Sequence, residues 1–483
     1  MNDKLRKVFF ADNYGMKNNF TLFALALGLF LFFSGVLAAA EAPSARPANV
    51  ILEEITFLLG NFQFDEAIAL FDTMDPQEAA NSRNRLHKAS VLISAGKTGE
   101  ARIIVEEVSR SEPGNLDALF ILSTIEAASG RTRERQAVLE RIVASDPQNI
   151  NALLELASLH FYTRSIDNSI TYYDQVLEID PGNLNALLGR AEIHRLHRDP
   201  YAAEILLNSA VSLHPNQAAP FRERAQLYRG AGFLVQALED LDRAKELDIN
   251  DYDIALDRGL TLNDLFRREE ALEDFERAAV LWPSDFRAYV FIAGIKDILG
   301  DLDGAERAYE IVTTLNPAYF YAFEGLGLHK MRKGQWLEAR DAFAEAYIRA
   351  PDEYLYALLT AASYMRHNIA GPRQFLNQAM TNMVRRDISR QESIEFLMLR
   401  LFHEATNRSF NGEDNMLARI ERETDQATRS RMTFFMGLYN DIRGLTNTAN
   451  RFYQQVRDMN QRYLPEWRLN EWILSDRGIE PPF

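Results

Sequence analysis

The chain has 483 residues, 47% of them hydrophobic, and a formal charge of −16 from 53 Lys and Arg against 69 Asp and Glu. This length exceeds what one hydrophobic core usually serves, so several domains or a one-dimensional repeat array is expected. No Lys/Arg run of the kind that tracks a phosphate backbone is present, which argues against nucleic-acid binding, and the lack of cysteine excludes disulfides, thiolate metal sites, a catalytic thiol and a lipid-anchored cysteine.

Residues 1–40 read as a targeting segment. Phe20–Leu37 contains no charge, Lys4, Arg6, Lys7 and Lys17 precede it, and Ala38-Ala39-Ala40 before Glu41 suits signal-peptidase cleavage. The run is also just long enough to span a bilayer, so it reads either as a cleaved signal peptide or as a retained anchor, with a buried helix as the third reading. Both leading readings place the rest of the chain outside the cytosol, in the periplasm or cell envelope, with membrane contact only through this segment if it is retained. Met16 opens a more conventional signal than Met1. Residues 41–47 form a short linker.

From 48 to 387 a 34-residue period dominates. Prolines fall at 113, 147, 181, 215, 283, 317 and 351, every gap being one or two periods. Each closes a phrase such as SEPGN or IDPGN, where a proline stops a helix for want of an N–H. In the same register, Ala67, Ala101, Ala203, Ala237, Ala271, Ala305 and Ala339 mark a second helix, interrupted by Arg135 and Ser169. Ala89, Ser123, Ala157, Ala191, Ala225, Gly259, Ala293, Gly327 and Ala361 put a small residue on the first helix. Large apolar residues fill the next column, from Phe71 and Val105 through Tyr173, Phe275 and Tyr309 to Phe343. Gly96, Gly130, Gly232, Gly300 and Gly334 occupy the turn between the helices, where a left-handed residue is useful.

In these columns residues 48–386 resemble the tetratricopeptide repeat family. The resemblance implies an all-α right-handed superhelical solenoid of about ten to eleven helix–turn–helix units, with the first helices lining a concave groove. The ends depart from the pattern. Window 48–81 has Ile55 where a small residue is expected and Pro76 too early, and window 354–387 has Gly371-Pro372 in its second helix. Residues 388–483 form a C-terminal helical region: 388–429 is helical but out of register, 430–463 is one divergent repeat, and the segment with Trp467 and Trp472 is a capping helix.

Catalytic constellations are missing: no Gly-rich phosphate loop, no H-E-x-x-H, no G-x-S-x-G, and hence no enzyme and no cofactor. His194 and His197, three apart with Glu192 nearby, have the spacing of a metal pair, but His160 and His194 are one period apart at a position that packs between paired helices, so packing is the preferred reading. Arg190, Arg224 and Arg258 form a column, with Asp240 and Asp274 following the latter two by 16 residues. This pattern predicts an Arg–Asp ladder within repeats in preference to an anion site.

The expected binding surface is the inner face of the first helices. Its charged middle is Glu192, Arg195, Arg222, Gln226, Arg229, Asp253, Asp257 and Asn263; farther along it turns apolar with Val290, Tyr321, Leu328, Leu355, Leu358 and Met365. Such a face suits an extended peptide or helix; the competing expectation is that C-terminal helices fold over its apolar end. The slots at which relatives clamp a chaperone's C-terminal carboxylate hold Phe120, Thr124, Glu155, Asn185 and Gly189, so that recognition is not expected. The expected function is a non-enzymatic scaffold or adaptor of the bacterial cell envelope that binds protein partners through the groove. The alternative is a periplasmic carrier enclosing a hydrophobic or anionic small molecule.

Overall fold

A computed structural model of the protein describes residues 48–368, 370–406 and 412–479. Phe20–Leu37 and its cleavage motif lie outside them. Among the described residues there is no strand, and no helix is long and apolar enough to cross a membrane. The fold is the all-α repeat solenoid that the 34-residue spacing predicts: within each compact unit successive helices pack as antiparallel pairs, and the pairs of that unit stack on one another. One compact unit ends at Asp240 and a second begins at Leu241.

In the first unit the regular pairs begin with Ser82–Ser94 and Thr98–Ser111. Asn115, Asn149 and Asn183 start the following first helices by accepting the N–H three residues on, at 3.0, 3.1 and 3.2 Å. The early Pro76 is explained by an extra helix, Pro76–Ala80, whose cap Asp75 accepts from the Gln77 N–H at 2.8 Å. Ile55, at the expected small position, is fully buried against the neighbouring Ala67 and Phe71 core.

The second unit continues the pairing beyond the regular register. Ile394–His403 pairs with Gly412–Arg422, and Gln426–Ile442 with Thr446–Met459. Pro465–Asp476 packs on this last pair and also on Phe320–Arg332. Tyr354–Met365 is the centre of the unit: every residue in it except Tyr364 is buried. A helix that is apolar all round belongs inside, and this one touches Ile394–His403 and Gln426–Ile442 as well as its own partner.

The small and large columns explain how the pairs close. All seven alanines of the second-helix column are completely buried. Ser169, which interrupts them, is buried too and donates its hydroxyl to the Ala157 carbonyl at 2.8 Å, so its polar atom is satisfied across the helix pair. Opposite the rings of Phe275, Phe343 and Tyr453 the first helix of the same pair carries glycine. A Cβ on Gly259 would lie 2.8 Å from the Phe275 ring, one on Gly327 2.5 Å from Phe343, and one on Gly437 2.7 Å from Tyr453. Tyr173 and Tyr309 instead press on Gly189 and Gly325 of the following unit, at 2.3 and 2.5 Å by the same measure.

The turn column is stricter in geometry than in sequence. Gly96, Gly130, Gly232, Gly300 and Gly334 all have positive φ, and so do Phe62, Arg164, Arg198 and Phe266, which occupy the same register without being glycine. The stack imposes the left-handed turn, and the side chain bears its steric cost.

Two outcomes follow. Gly327→Val should destabilise the chain by about 1–3 kcal/mol, because the Phe343 ring has no room to yield, while Gly294→Ala, in the same kind of helix but facing open space, should be neutral or stabilising by up to about 1 kcal/mol; denaturant titration of both variants checks this. Phe266→Gly, at φ 62° and 74% exposed, should stabilise by about 0.5–1 kcal/mol in the same assay.

Candidate functional site

First helices of neighbouring pairs touch one another directly: Ser82–Ser94 with Leu116–Ala128, Ile150–Tyr162 with Leu184–Leu196, and the latter with Ala218–Ala231. Among the described residues no two successive second helices approach as closely, so the first helices line the shorter, inner side of the first unit. The predicted charged residues of this unit all lie on first helices and remain partly exposed: Glu192 and Arg195 on Leu184–Leu196, Arg222, Gln226 and Arg229 on Ala218–Ala231. Glu192 and Arg195 form a fork-to-fork pair with two bonds of 2.6 Å, which pre-orients both groups along one helix face. Arg222 lies 3.7 Å from Glu223.

The arginine column is structural, as its spacing predicts. Arg224 reaches Asp240 with bonds of 2.8 and 2.7 Å and Asn208 with a bond of 2.8 Å. Arg258 bridges Asp242 at 2.6 Å and Asp274 at 2.5 Å, and Arg190 pairs with Asp174 at 2.8 Å. Each partner is 16 residues before or after the arginine, so Arg224 and Arg258 each staple a first helix to the second helices on both sides of it. His160 is buried and stacked on Tyr172 at 5.5 Å, while His194 faces Asp199 at 3.5 Å. Among the described residues no three His, Asp or Glu side chains gather as metal ligands.

In the second unit Asp253, Asp257 and Asn263 sit partly exposed on the first helix Tyr252–Asp264. The apolar end of the expected groove is different. Leu328 is a core residue, 1% exposed, and Leu355, Leu358 and Met365 are likewise buried. They are therefore corrected from groove surface to packing. The cause is that Ile394–His403, Gln426–Ile442 and Pro465–Asp476 cover this side of the unit. Tyr321 stays partly exposed, its ring 4.1 Å from Phe320 and 5.7 Å from Tyr319.

What replaces the open groove here is a polar cluster. The Tyr356 hydroxyl donates to the Glu324 carboxylate at 2.6 Å. Arg431 pairs with Glu466 and Arg468 with Asp297, two contacts carried by the C-terminal helices. His329, 1% exposed, faces Asp297 at 3.5 Å. Burial raises the Glu324 carboxyl to about 7, against the stabilising bond from Tyr356. Burial also lowers His329, with Asp297 opposing. None of this was legible in the repeat columns: Arg468 and Asp297 are 171 residues apart.

Glu324 fixes the sign of a pH dependence. Its folded carboxyl binds a proton more tightly than the ordinary value of 4.5, so between roughly pH 4.5 and 7 this group is more protonated in the folded chain than in the unfolded one, and its own contribution to stability falls as pH rises through that window. Glu324→Gln should raise the melting temperature at pH 8 by about 2–4 °C and change it little at pH 5, as measured by calorimetry.

Comparison with known proteins agrees with the fold. The tetratricopeptide repeat profile matches residues 154–218 and 299–361. Tetratricopeptide repeat protein 36 of Xenopus tropicalis is 37% identical over 92 residues, which is 18% of this chain and 45% of that protein, so the chain spans less than half of that relative's length. Among solved structures, a tetratricopeptide repeat protein from Parabacteroides merdae is 17% identical with a TM-score of 0.42, over 50% of this chain and 96% of that one. A chain of the APC/C hetero-tetramer Cut9–Hcn1 is 16% identical with a TM-score of 0.41, over 66% and 63%. With the period and the paired helices, residues 154–218 and 299–361 are tetratricopeptide repeats, and the array that contains them is similar to that family.

Proposed function

We propose that this protein is a non-enzymatic scaffold or adaptor of the bacterial cell envelope, and that it holds a protein partner on the inner face of its first helices. The observation that carries the reading is the partly exposed strip Glu192, Arg195, Arg222, Gln226 and Arg229, which presents charge and hydrogen-bonding groups from two adjacent first helices. A rigid face of this kind suits a segment that contributes a few anchors and complementary charge. Within the second unit, Asp253, Asp257 and Asn263 present polar groups of the same kind on the first helix Tyr252–Asp264. The uncharged run Phe20–Leu37 with its flanking lysines and Ala38-Ala39-Ala40 supports export.

A photo-crosslinking residue in place of Gln226 should capture a partner protein in envelope fractions, and the same residue at Glu239, exposed on a second helix, should not. Arg222→Glu with Arg229→Glu should reduce the Gln226 product at least about tenfold. Equal capture at both positions would contradict the assignment of the face. For export, the N-terminal residue of the protein isolated from fractionated cells should lie near Glu41 in a soluble periplasmic form, or at the start of the chain in a detergent-extracted one; a full-length cytosolic protein would contradict it.

A further inference from the structure

The C-terminal ends of Gly412–Arg422 and Thr446–Met459 and the first turns of Gln426–Ile442 line a cavity of about 760 Å³ within the second unit. That volume is in the range of pockets that take up a drug-sized molecule. Leu417, Phe452 and Met459 form half-buried apolar walls, Ile420 a buried one, and Arg429, Glu421 and Asp458 add charge. Arg429 is unlike the arginines around it. Arg431 pairs with Glu466, Arg443 with Glu413 and Arg457 with Glu471, while Arg419 donates to the Glu392 carbonyl. Among the described residues no carboxylate pairs with the Arg429 guanidinium, and its Nε is buried without a hydrogen-bond partner. Glu421 and Asp458 stand exposed at the cavity and, among the described residues, are also without an ion pair.

A donor withdrawn from water and left unpaired is unfavourable, so Arg429 offers a binding group for an anion that the chain itself does not supply. A bare anion would meet two carboxylates in the same cavity, and a bare cation would leave Arg429 as it is. A molecule that carries both charges satisfies all three groups. The helix ends agree with that order: the N-terminal turn that carries Arg429 favours a negative group, and the C-terminal turns that carry Glu421 and Asp458 favour a positive one. The space beside these groups exceeds what a single amino acid fills, and its walls are apolar. We propose that this cavity binds a short peptide with both termini free and apolar side chains, its carboxylate on Arg429 and its ammonium on Glu421 and Asp458. The site lies in the second unit, and the inference does not rest on the reading of the first-helix strip as a scaffold surface.

The test is isothermal titration calorimetry of the full chain with leucyl-phenylalanine as probe, beside its C-terminally amidated form, its N-acetylated form and free leucine. The free dipeptide should bind, and each capped form and leucine should bind at least about tenfold more weakly. Arg429→Gln should lower the affinity for the free dipeptide at least about tenfold and leave the weak binding of the amidated form unchanged, which separates loss of the carboxylate contact from a general disturbance of the fold. Glu421→Gln with Asp458→Asn should likewise weaken the free dipeptide and leave the N-acetylated form unchanged. Both variants remove charges that have no ion pair, so their melting temperatures should stay within about 2 °C of wild type. If the dipeptide gives no saturable binding, if capping either end costs nothing, or if Arg429→Gln binds as well as wild type, the proposal fails. Free leucine binding as tightly as the dipeptide would give the site to single amino acids and would also overturn it. Capture at Gln226 involves none of these residues, so failure here and failure of the scaffold reading are separately visible.

Discussion

A ring pressed against a glycine is the contact on which this structure depends. The first and second helices of a pair approach closely where one side is small, and the chain keeps that side small from Ala89 to Ala361, with Ile55 the exception in the first pair. Where the large column offers Val105 or Leu139, alanine or serine opposite is small enough; where it offers Phe275, Phe343 or Tyr453, the opposite residue is Gly259, Gly327 or Gly437. Volume is conserved at the crossing while both residues change, which close packing demands and helix propensity alone would oppose, since glycine inside a helix costs roughly 1 kcal/mol.

Charge is used differently in the two kinds of surface. The ladder arginines Arg224 and Arg258 each hold a carboxylate that is nearly inaccessible, Asp240 or Asp274, and a second polar partner on the preceding second helix. A guanidinium with several directed partners in fixed geometry offsets its desolvation, which a lone buried pair often does not. The strip of Glu192, Arg195, Arg222, Gln226 and Arg229 keeps its groups partly in contact with solvent, where desolvation has yet to be paid and a partner's charge can still matter. The polar cluster around Glu324 and Asp297 lies between these cases: enclosed enough to shift Glu324, yet incompletely paired.

Most of the fold is legible in the sequence because a repeat array makes every contact local and periodic. The prolines, the alanine column and the five turn glycines fix the helix pairs from 82 to 349, and the 16-residue offset of Asp240 and Asp274 identifies the ladder. Two kinds of feature escape this reading. Phe62, Arg164, Arg198 and Phe266 adopt the left-handed turn without the residue that advertises it, because the stack on either side enforces the geometry. The covering of Leu328, Leu355 and Leu358 escapes for a stronger reason: it depends on helices from 394 to 476, whose contacts with 286–365 follow no period. Periodic logic places a residue on a face of its own repeat but does not say what covers that face.

The central claim is that the inner face of the first helices is the interaction surface. Hydroxyl-radical footprinting of the full chain, alone and bound to a protein captured through Gln226, is the measurement that decides it. The account predicts protection concentrated on Leu184–Leu196 and Ala218–Ala231, with second-helix residues such as Tyr201 and Val235, 74% and 60% exposed, reacting as before. Protection centred on Tyr201, Ile205 and Val235, with the first helices unchanged, would contradict it.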